Sequence, residues 1–533
     1  MLQRYKLYPI LAKKYYLCMT VCKVIIVMKH CKRVLSVLVA FAAMSAVTAQ
    51  TITFSQGEKG NSGGYQPTLI NIDKADADGL YYSVEPDLNA FSKVKGILVR
   101  EVDVNFKEQR SVSVPDSKGA RIYHVQRDGQ RMHVVIDLSD KKRYAMRHVS
   151  VDLSSFTIAA DSMLVDVAVD KKVEQYDWTS VSPSGNHFAL VYALLNTKSG
   201  EAQVQAMLFD RGMRCVWSHA MPVAAIADIF ATDDGRIATA GTTNGDEKTD
   251  GTTVTFSLSD GLGTSQGRYP SVYRLGNVSV LNVFGDKVLT TALETDRGTG
   301  WAGSFTLGSA VTTGTVYTGC TSMLYDVAAG RMAGSDRHPF SKADARVFYN
   351  ASLVSEIASP DINFLGVRAK AATPAGGAVL YGRSWLEKVT QQSNGMSSSV
   401  YYYKGMMLVN VDSTGRFVWM KPLMHDNGTN ADFAINKETD MVAVGNDLYV
   451  VTNESPKDAD TYDPDNAVRR TVLMVHGAIV AYRFAPDGSV AKQKLATDGI
   501  NIIMTGLRPQ AGGVFTFVSG QRKGLISEIK IGK

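Results

Sequence analysis

Asp234-Gly235-Arg-Ile237-Ala-Thr-Ala-Gly241 reads as a tight turn followed by a strand, and the same phrase returns along most of the chain. Asp78-Gly79 precedes Leu80-Tyr-Tyr-Ser-Val84, Asp128-Gly129 precedes Met132-His-Val-Val-Ile136, and Pro183-Ser-Gly185 precedes Phe188-Ala-Leu-Val191. Gly285-Asp286 precedes Val288-Leu-Thr-Thr291, Gly376-Gly377 precedes Ala378-Val-Leu-Tyr-Gly382, and Asn446-Asp447 precedes Leu448-Tyr-Val-Val451. Gly512-Gly513 precedes Val514-Phe-Thr-Phe-Val518, and Gly330 marks a weaker instance. Gly, Asn and Asp suit such turns because short hairpin connections need positive φ, which other residues resist. From Gly79 to Gly129, and from Gly185 through Gly235 to Gly285, the interval is 50 residues. A fixed period of that size marks an array of supersecondary units.

Working outward, a second hairpin recurs between these turns. Leu208-Phe-Asp210-Arg-Gly212-Met-Arg-Cys-Val-Trp217 is echoed by Val409-Asn-Val-Asp412-Ser-Thr-Gly415-Arg-Phe-Val-Trp419 and, more faintly, by Phe484-Ala-Pro-Asp487-Gly488. If the first hairpin joins strands A and B of a four-stranded unit, the second joins C and D. Short runs of Val, Ile, Tyr, Phe and Thr between turns predict antiparallel strands, with hardly any 3.6-residue periodicity. The stretch Ala224 to Phe230 resembles a helix only until it meets Asp233-Asp234-Gly235.

Taken together the chain resembles β-propeller repeat proteins in general. The resemblance implies an all-β fold, a β-propeller of about seven or eight four-stranded blades. The Asp-turn-Trp hairpins are similar to part of a kelch repeat, but here the paired glycines precede strand B instead of ending it. The last unit, from Ile500 to Lys533, holds about three strands, and Thr51-Ile-Thr-Phe54 can supply the fourth and close the ring. Closure removes open sheet edges. The rival architecture is a non-closing β-sandwich array. The strands after Gly513 also bear a likeness to the C-terminal sorting modules of some envelope secretion systems.

The first 49 residues contain no Asp or Glu and eight Lys or Arg. From Met28 a basic stretch, an apolar run from Val34 to Ala46 and small residues at Val47-Thr48-Ala49 follow one another as in a secretory signal. The expected division is a leader over 1–49 and a single propeller-like domain over 50–533, exported to the periplasm, cell surface or medium. No membrane-spanning segment is expected once the signal is removed. Setting the leader's eight cations aside turns 57 Lys and Arg against 51 Asp and Glu into 49 against 51, a net charge of −2. Duplex binding wants a cationic face, so nucleic acid is not an expected partner. Only Cys215 and Cys320 remain after the leader. Two thiols make no disulfide framework, so burial must hold the fold; both are expected buried, with a single bridge as the alternative.

Catalytic signatures are absent: no His-Glu-x-x-His, no phosphate-binding glycine loop before a helix, no Gly-x-Ser-x-Gly elbow. Asp76, Asp78, Gly79 and Glu85 fall at the third, fifth, sixth and twelfth positions of a calcium loop, the pattern of oxygen ligands that Ca²⁺ takes. Lys74 at the first position puts a cation where a ligand belongs, and the same Asp-Gly fits the repeating turn. Calcium there is the weak candidate; otherwise no cofactor is expected. Asp458, Asp460, Asp463 and Asp465 with Tyr462 form a denser acidic stretch whose spacing fits no closed metal loop. His124 and His133 flank a hairpin but lack a third ligand for zinc, and each histidine is expected to be superficial or structurally satisfied.

The chain departs from its own repeat between strands B and C. Insertions from Ser384 to Ser399 and from Asn453 to Arg470 fall at equivalent places in neighbouring units, with shorter ones at Thr242 to Gly251 and Glu294 to Gly300. Variable loops on one face of a repeat scaffold are where binding surfaces are built. Trp385, Tyr401, Tyr402, Tyr403 and Tyr462 would furnish aromatic anchors there. Trp385, Tyr402, Asp458, Asp460, Tyr462 and Asp463 are the candidate binding residues. The expected function is that of an exported, non-enzymatic binding or scaffold protein with a protein or glycan partner in the cell envelope. Two alternatives stand beside it: an enzyme acting on an extracellular glycan or peptide through carboxylates near the funnel, and a structural envelope subunit.

Overall fold

The structure is a computed structural model in which every element is a strand, 34 in all among the described residues. It describes residues 52–56, 71–75, 79–89, 93–223, 225–244, 251–295, 316–341, 344, 362–363, 365–383, 386–391, 397–430, 439–454, 478–496, 506–510, 513–520 and 524–532. Residues Thr53–Lys530 form one compact unit, and the fold is described within it.

The strands sort into eight sheets, each a propeller blade in chain order. Blade 1 is β2 (Asn71–Lys74), β3 (Leu80–Leu88), β4 (Val94–Asp103) and β5 (Glu108–Val114). Blade 2 is β6 (Arg121–Asp128), β7 (Arg131–Asp137), β8 (Arg143–Asp152) and β9 (Thr157–Ala168); blade 3 is β10 (Val173–Val181), β11 (His187–Asn196), β12 (Ala202–Asp210) and β13 (Cys215–Ala220). Blade 4 is β14 (Asp228–Ala231), β15 (Ile237–Asn244), β16 (Thr252–Asp260) and β17 (Gly263–Pro270). Blade 5 is β18 (Arg274–Phe284), β19 (Lys287–Thr295), β20 (Val316–Asp326) and β21 (Arg331–Pro339), with β22 (Ile362–Asn363) beside β20. Blade 6 is β23 (Leu365–Thr373), β24 (Gly376–Arg383), β26 (Ser397–Asp412) and β27 (Phe417–Asn430), with β25 (Leu386–Gln391) against β26. Blade 7 is β28 (Thr439–Val444), β29 (Asp447–Glu454), β30 (Ala478–Phe484) and β31 (Val490–Ala496). Blade 8 takes β32 (Arg508–Pro509), β33 (Val514–Gly520) and β34 (Gly524–Ile531) from the C-terminus, and β1 (Ile52–Gln56) pairs β34 as its outer strand. The ring therefore closes with the N-terminal strand, as the sequence suggests, and the sandwich array is not the architecture.

The core lies in slabs between blades, and this explains the strand sequences. Met132, Val134 and Ile136 of β7 pack toward blade 1 with Val84, Val99 and Val149, while Val135 packs toward blade 3 with Phe188 and Phe209. A second strand buried on both faces needs no alternation, so it reads as a continuous apolar run. The outer strand β21 alternates exposed and half-buried residues instead. Polar clasps on the inner strands join the blades. Asp228 Oδ2 accepts from Val280 N at 2.8 Å and from Lys370 Nζ at 2.5 Å, linking blades 4, 5 and 6. Asp440 Oδ2 accepts from Leu507 N at 2.8 Å between blades 7 and 8, and Thr516 Oγ1 donates to Ile72 O at 2.8 Å between blades 8 and 1.

Three local expectations are corrected. Gly376 and Gly377 do not sit at positive φ; they are glycines because a Cβ would meet Val411 O at 1.9 Å and Leu281 Cβ at 2.8 Å. Gly330 belongs to a C–D turn, between β20 and β21, and not to the A–B series. In the matching turn of blade 3 the left-handed residue is Met213, at φ 60°, and not Gly212. Both tryptophans of the second hairpin reach the next blade: Trp217 Nε1 donates to Gly235 O at 2.9 Å and Trp419 Nε1 to Pro486 O at 3.2 Å. Cys215 is exposed on an outer strand and Cys320 is buried; both are free thiols.

Candidate binding face and a polar cluster between blades 2 and 3

Antiparallel order sends every A–B and C–D connection to one face and every B–C and D–A connection to the other. Among the described residues the first face has tight turns, such as 129–130, 285–286 and 445–446. On the second face blades 1 to 3 keep short B–C connections (89–93, 138–142 and 197–201), whereas later blades carry 296–315, 455–477 and the D–A segment 340–361. The expectation that chain length accumulates on one face therefore agrees with the element bounds.

The insertion in blade 6 is partly sheet. The second half of β26 pairs β24, its first half pairs β25, and β27 runs beside nearly all of it, from Val400↔Asn430 to Val411↔Phe417. Tyr402 lies in that extension, its backbone opposite Leu386 and Gly428. Trp385, Asp458, Asp460, Tyr462 and Asp463 lie outside the described residues, as do Asp76 and Asp78. Glu85 stands within β3, where its carboxylate forms an ion pair with the Arg100 guanidinium, 2.9 Å away and without the alignment of a hydrogen bond. Among the described residues no group of three or more His, Cys, Asp or Glu is arranged to hold a metal ion. No helix among them is long and apolar enough to cross a membrane.

Glu85 belongs to a series that sequence reading missed. Toward the loop-face end of strand B, Asp137 of blade 2, Glu294 of blade 5 and Glu454 of blade 7 are also nearly fully buried. Each is met by a cation of its own blade: Asp137 by Arg121, Glu294 by Arg337 at 2.8 Å, and Glu454 by Lys492 at 2.5 Å. Thr321 and Tyr482 hydroxyls donate to Glu294 and Glu454, and Arg337 also lies over the Tyr273 ring. The available signal is an acidic residue closing an apolar B run, as in Val-Val-Ile-Asp137 and Leu293-Glu294. Such pairs fix strand ends, because a buried charge stripped of its partner is strongly destabilising.

Between blades 2 and 3 the pattern changes. A β-bulge between Ile122 and His124 leaves Tyr123 as the extra residue of β6, and bulges re-aim side chains. Both neighbours turn toward blade 3: Tyr123 Oη donates to Asp177 Oδ1 at 2.5 Å, and the His124 ring stacks on Phe188 with centroids 4.1 Å apart. Asp177, on the inner strand β10, is half-buried. Burial raises its carboxyl above the ordinary range, with the Asp137 charge adding to this and the Tyr123 bond and Arg121 opposing it. Tyr144, on β8, is fully buried against Tyr192, with ring centroids 4.8 Å apart. Its hydroxyl lies beside the same carboxylate without the alignment of a hydrogen bond, and it has no other partner. Deeper in the seam, His133 Nδ1 and His148 Nε2 share one hydrogen bond of 2.9 Å, and His133 Nε2 is buried without a partner. Burial lowers both rings, with His133's charge adding to the effect on His148, which stands at about 4.

No protein-family model matches this chain, and no curated protein does. Solved structures that resemble it include the β-propeller domain of the Trilobed protease from Pyrococcus furiosus, at 10% identity over 81% of this chain and 96% of that one, with a TM-score of 0.31. Drosophila Plexin A in complex with Semaphorin 1b is similar at 9% identity over 91% and 87%, TM-score 0.30. Pyrococcus horikoshii acylaminoacyl peptidase is similar at 11% identity over 75% and 49%, TM-score 0.29.

Proposed function

We propose that this chain is an exported binding or scaffold protein of the cell envelope whose protein or glycan partner engages the loop-bearing face. One observation carries the reading: chain length between strands grows on a single face, in blades 4 to 7, while the opposite face keeps tight turns in every described blade. A ring held by interblade slabs supplies a rigid platform, and rigid platforms with variable connections are a recurrent basis for recognition. The leader-like segment supports export. Tyr402 stands in the sheet extension that raises blade 6 on that face.

The test compares the chain starting at Gln50 with variants in which 386–399 or 455–470 is replaced by a short Gly-Ser linker; the second replacement spares Glu454. Envelope extracts and an immobilised glycan panel are the baits. A partner held by the intact chain and lost, by about tenfold or more in affinity, from folded loop variants supports the reading. Undiminished capture by the loop variants, or no capture by the intact folded chain, refutes it.

A further inference from the structure

We propose that the polar cluster between blades 2 and 3 binds an organic ammonium group, with Asp177 as its counter-ion and Tyr123, Tyr144 and Tyr192 as its aromatic neighbours. The charges set the class of ligand. Two carboxylates, Asp137 and Asp177, meet one guanidinium, and Arg121 is committed to Asp137. Among the described residues Asp177 has no ion pair; its hydrogen bond comes from the Tyr123 hydroxyl. The cluster therefore carries a net negative charge. An anion is repelled by it. A neutral sugar leaves the charge uncompensated, and a divalent metal finds Asp137 already occupied.

The second observation is the Tyr144 hydroxyl. Tyr144 is 1% exposed, and its oxygen sits beside Asp177 without an aligned hydrogen bond. Buried polar groups in folded proteins are nearly always satisfied, so each exception requires a reason. An ammonium N–H supplies what both groups lack, a donor for the phenol lone pairs and a positive charge for the carboxylate. Tyrosine rings add their electron-rich faces, the recurrent setting for alkylated ammonium ligands. The bulge that spends an extra residue to bring Tyr123 onto Asp177 fits a site built for its geometry. The cluster adjoins solvent at Arg121, whose side chain is 78% exposed. This inference does not depend on the loop-face reading, because its residues lie on strands of blades 2 and 3 and none lies in the long connections of the later blades.

Two sources share this chemistry, a free small amine and a lysine side chain of a partner protein. Full-length chain from Gln50 is titrated by calorimetry with n-butylamine, N-acetyl-lysine amide, a lysine-containing peptide and the neutral isostere N-acetyl-norleucine amide. Saturable binding of the amines without the norleucine derivative supports the site. The tightest amine then names the source: the peptide for a partner's side chain, butylamine for a free amine. Asp177→Asn should weaken that amine about thirty-fold or more, and Tyr144→Phe should weaken it severalfold. Carboxyl carbon NMR gives a readout that needs no variant: saturating amine should lower the Asp177 pKa. Equal binding of the norleucine derivative, an Asp177 pKa unmoved by millimolar amine, or cleavage of a glycoside that depends on Asp177 would each overturn the proposal.

Discussion

The seam between blades 4 and 5 and the seam between blades 2 and 3 occupy equivalent places in the ring and are filled by opposite means. In the former, Phe256 and Tyr325 stack with centroids 4.5 Å apart and planes 1° from parallel, among Val254, Leu258, Val280 and Met323. Gly267 opens the space: a Cβ there would stand 2.0 Å from the Tyr325 ring. In the latter, strands B and C of blade 2 and strand A of blade 3 bring in His133, His148, Tyr144 and Asp177 beside Val135, Phe188 and Leu190. An apolar slab is indifferent to pH and tolerates no change of volume. A titratable slab gives up some stability for groups that answer to protons and ligands.

The largest effects should come from the apolar seam. Phe256→Ala removes a buried ring from a slab with little room to collapse, and the expected loss is about 4 kcal/mol in denaturant unfolding. Gly267→Ala acts in the opposite sense, by overpacking. Its methyl must displace Tyr325 from its stack, and a loss of about 3 kcal/mol is expected. Were Gly267→Ala neutral, the close approach of blades 4 and 5 would be wrong at that point. Neither loss should vary between pH 7 and pH 5, because no carboxylate or imidazole is buried at the point of contact.

The seam between blades 2 and 3 should show the converse dependence. His148 titrates at about 4 in the fold against about 6.5 unfolded, and His133 is lowered with it. Between those values the unfolded chain binds protons that the fold refuses, so stability is complete above about pH 6.5 and falls as pH drops toward 4. The contribution is about 2 kcal/mol across that window. Asp128, Arg131, Asp161 and Asp210 are the charges that act on the pair, and they are unchanged in the double variant His133→Gln/His148→Gln. That variant should flatten most of the slope, leaving the part due to His124, which burial holds at about 4. An unchanged slope would place the acid sensitivity elsewhere.

The contrast also marks what the sequence makes legible. Blade boundaries could be read because most A–B turns place a glycine at positive φ, as Gly79, Gly129, Gly185, Gly235 and Gly285 do. Ring closure could be read because the last unit is one strand short. One-sided loop growth followed from counting residues between strands. The polar cluster could not be read, since its members come from five strands of two blades: Tyr123 on β6, Asp137 on β7, Tyr144 on β8, and Asp177 with Tyr192 on β10 and β11. No local spacing joins Tyr123 to Asp177 across 54 residues, and the bulge that turns Tyr123 leaves no motif. Met213, Phe106 and Phe156 show the same limit on a smaller scale. Each takes a left-handed turn position where glycine is expected, because its side chain is buried in the adjoining slab.

The smallest expected effect separates a structural Asp177 from one kept for binding. A carboxyl whose pKa is raised by folding disfavours the fold when it is ionised. Below about pH 4 both states hold the proton and the penalty vanishes. As pH rises, the unfolded chain gives up its proton first, and the fold is penalised until the native group has ionised too. Asp177→Asn keeps the shape and an acceptor for Tyr123 while removing the charge. The variant should therefore gain stability near neutral pH, by less than about 1 kcal/mol given the opposing pull of Arg121 and Tyr123, and the gain should disappear in acid. A replacement that stabilises the fold while abolishing amine binding would mean that Asp177 is retained at a cost in stability. If Asp177→Asn instead destabilises the chain at pH 7, the carboxylate is a structural anchor like Glu454, and blades 2 and 3 differ from the other seams in composition but not in purpose.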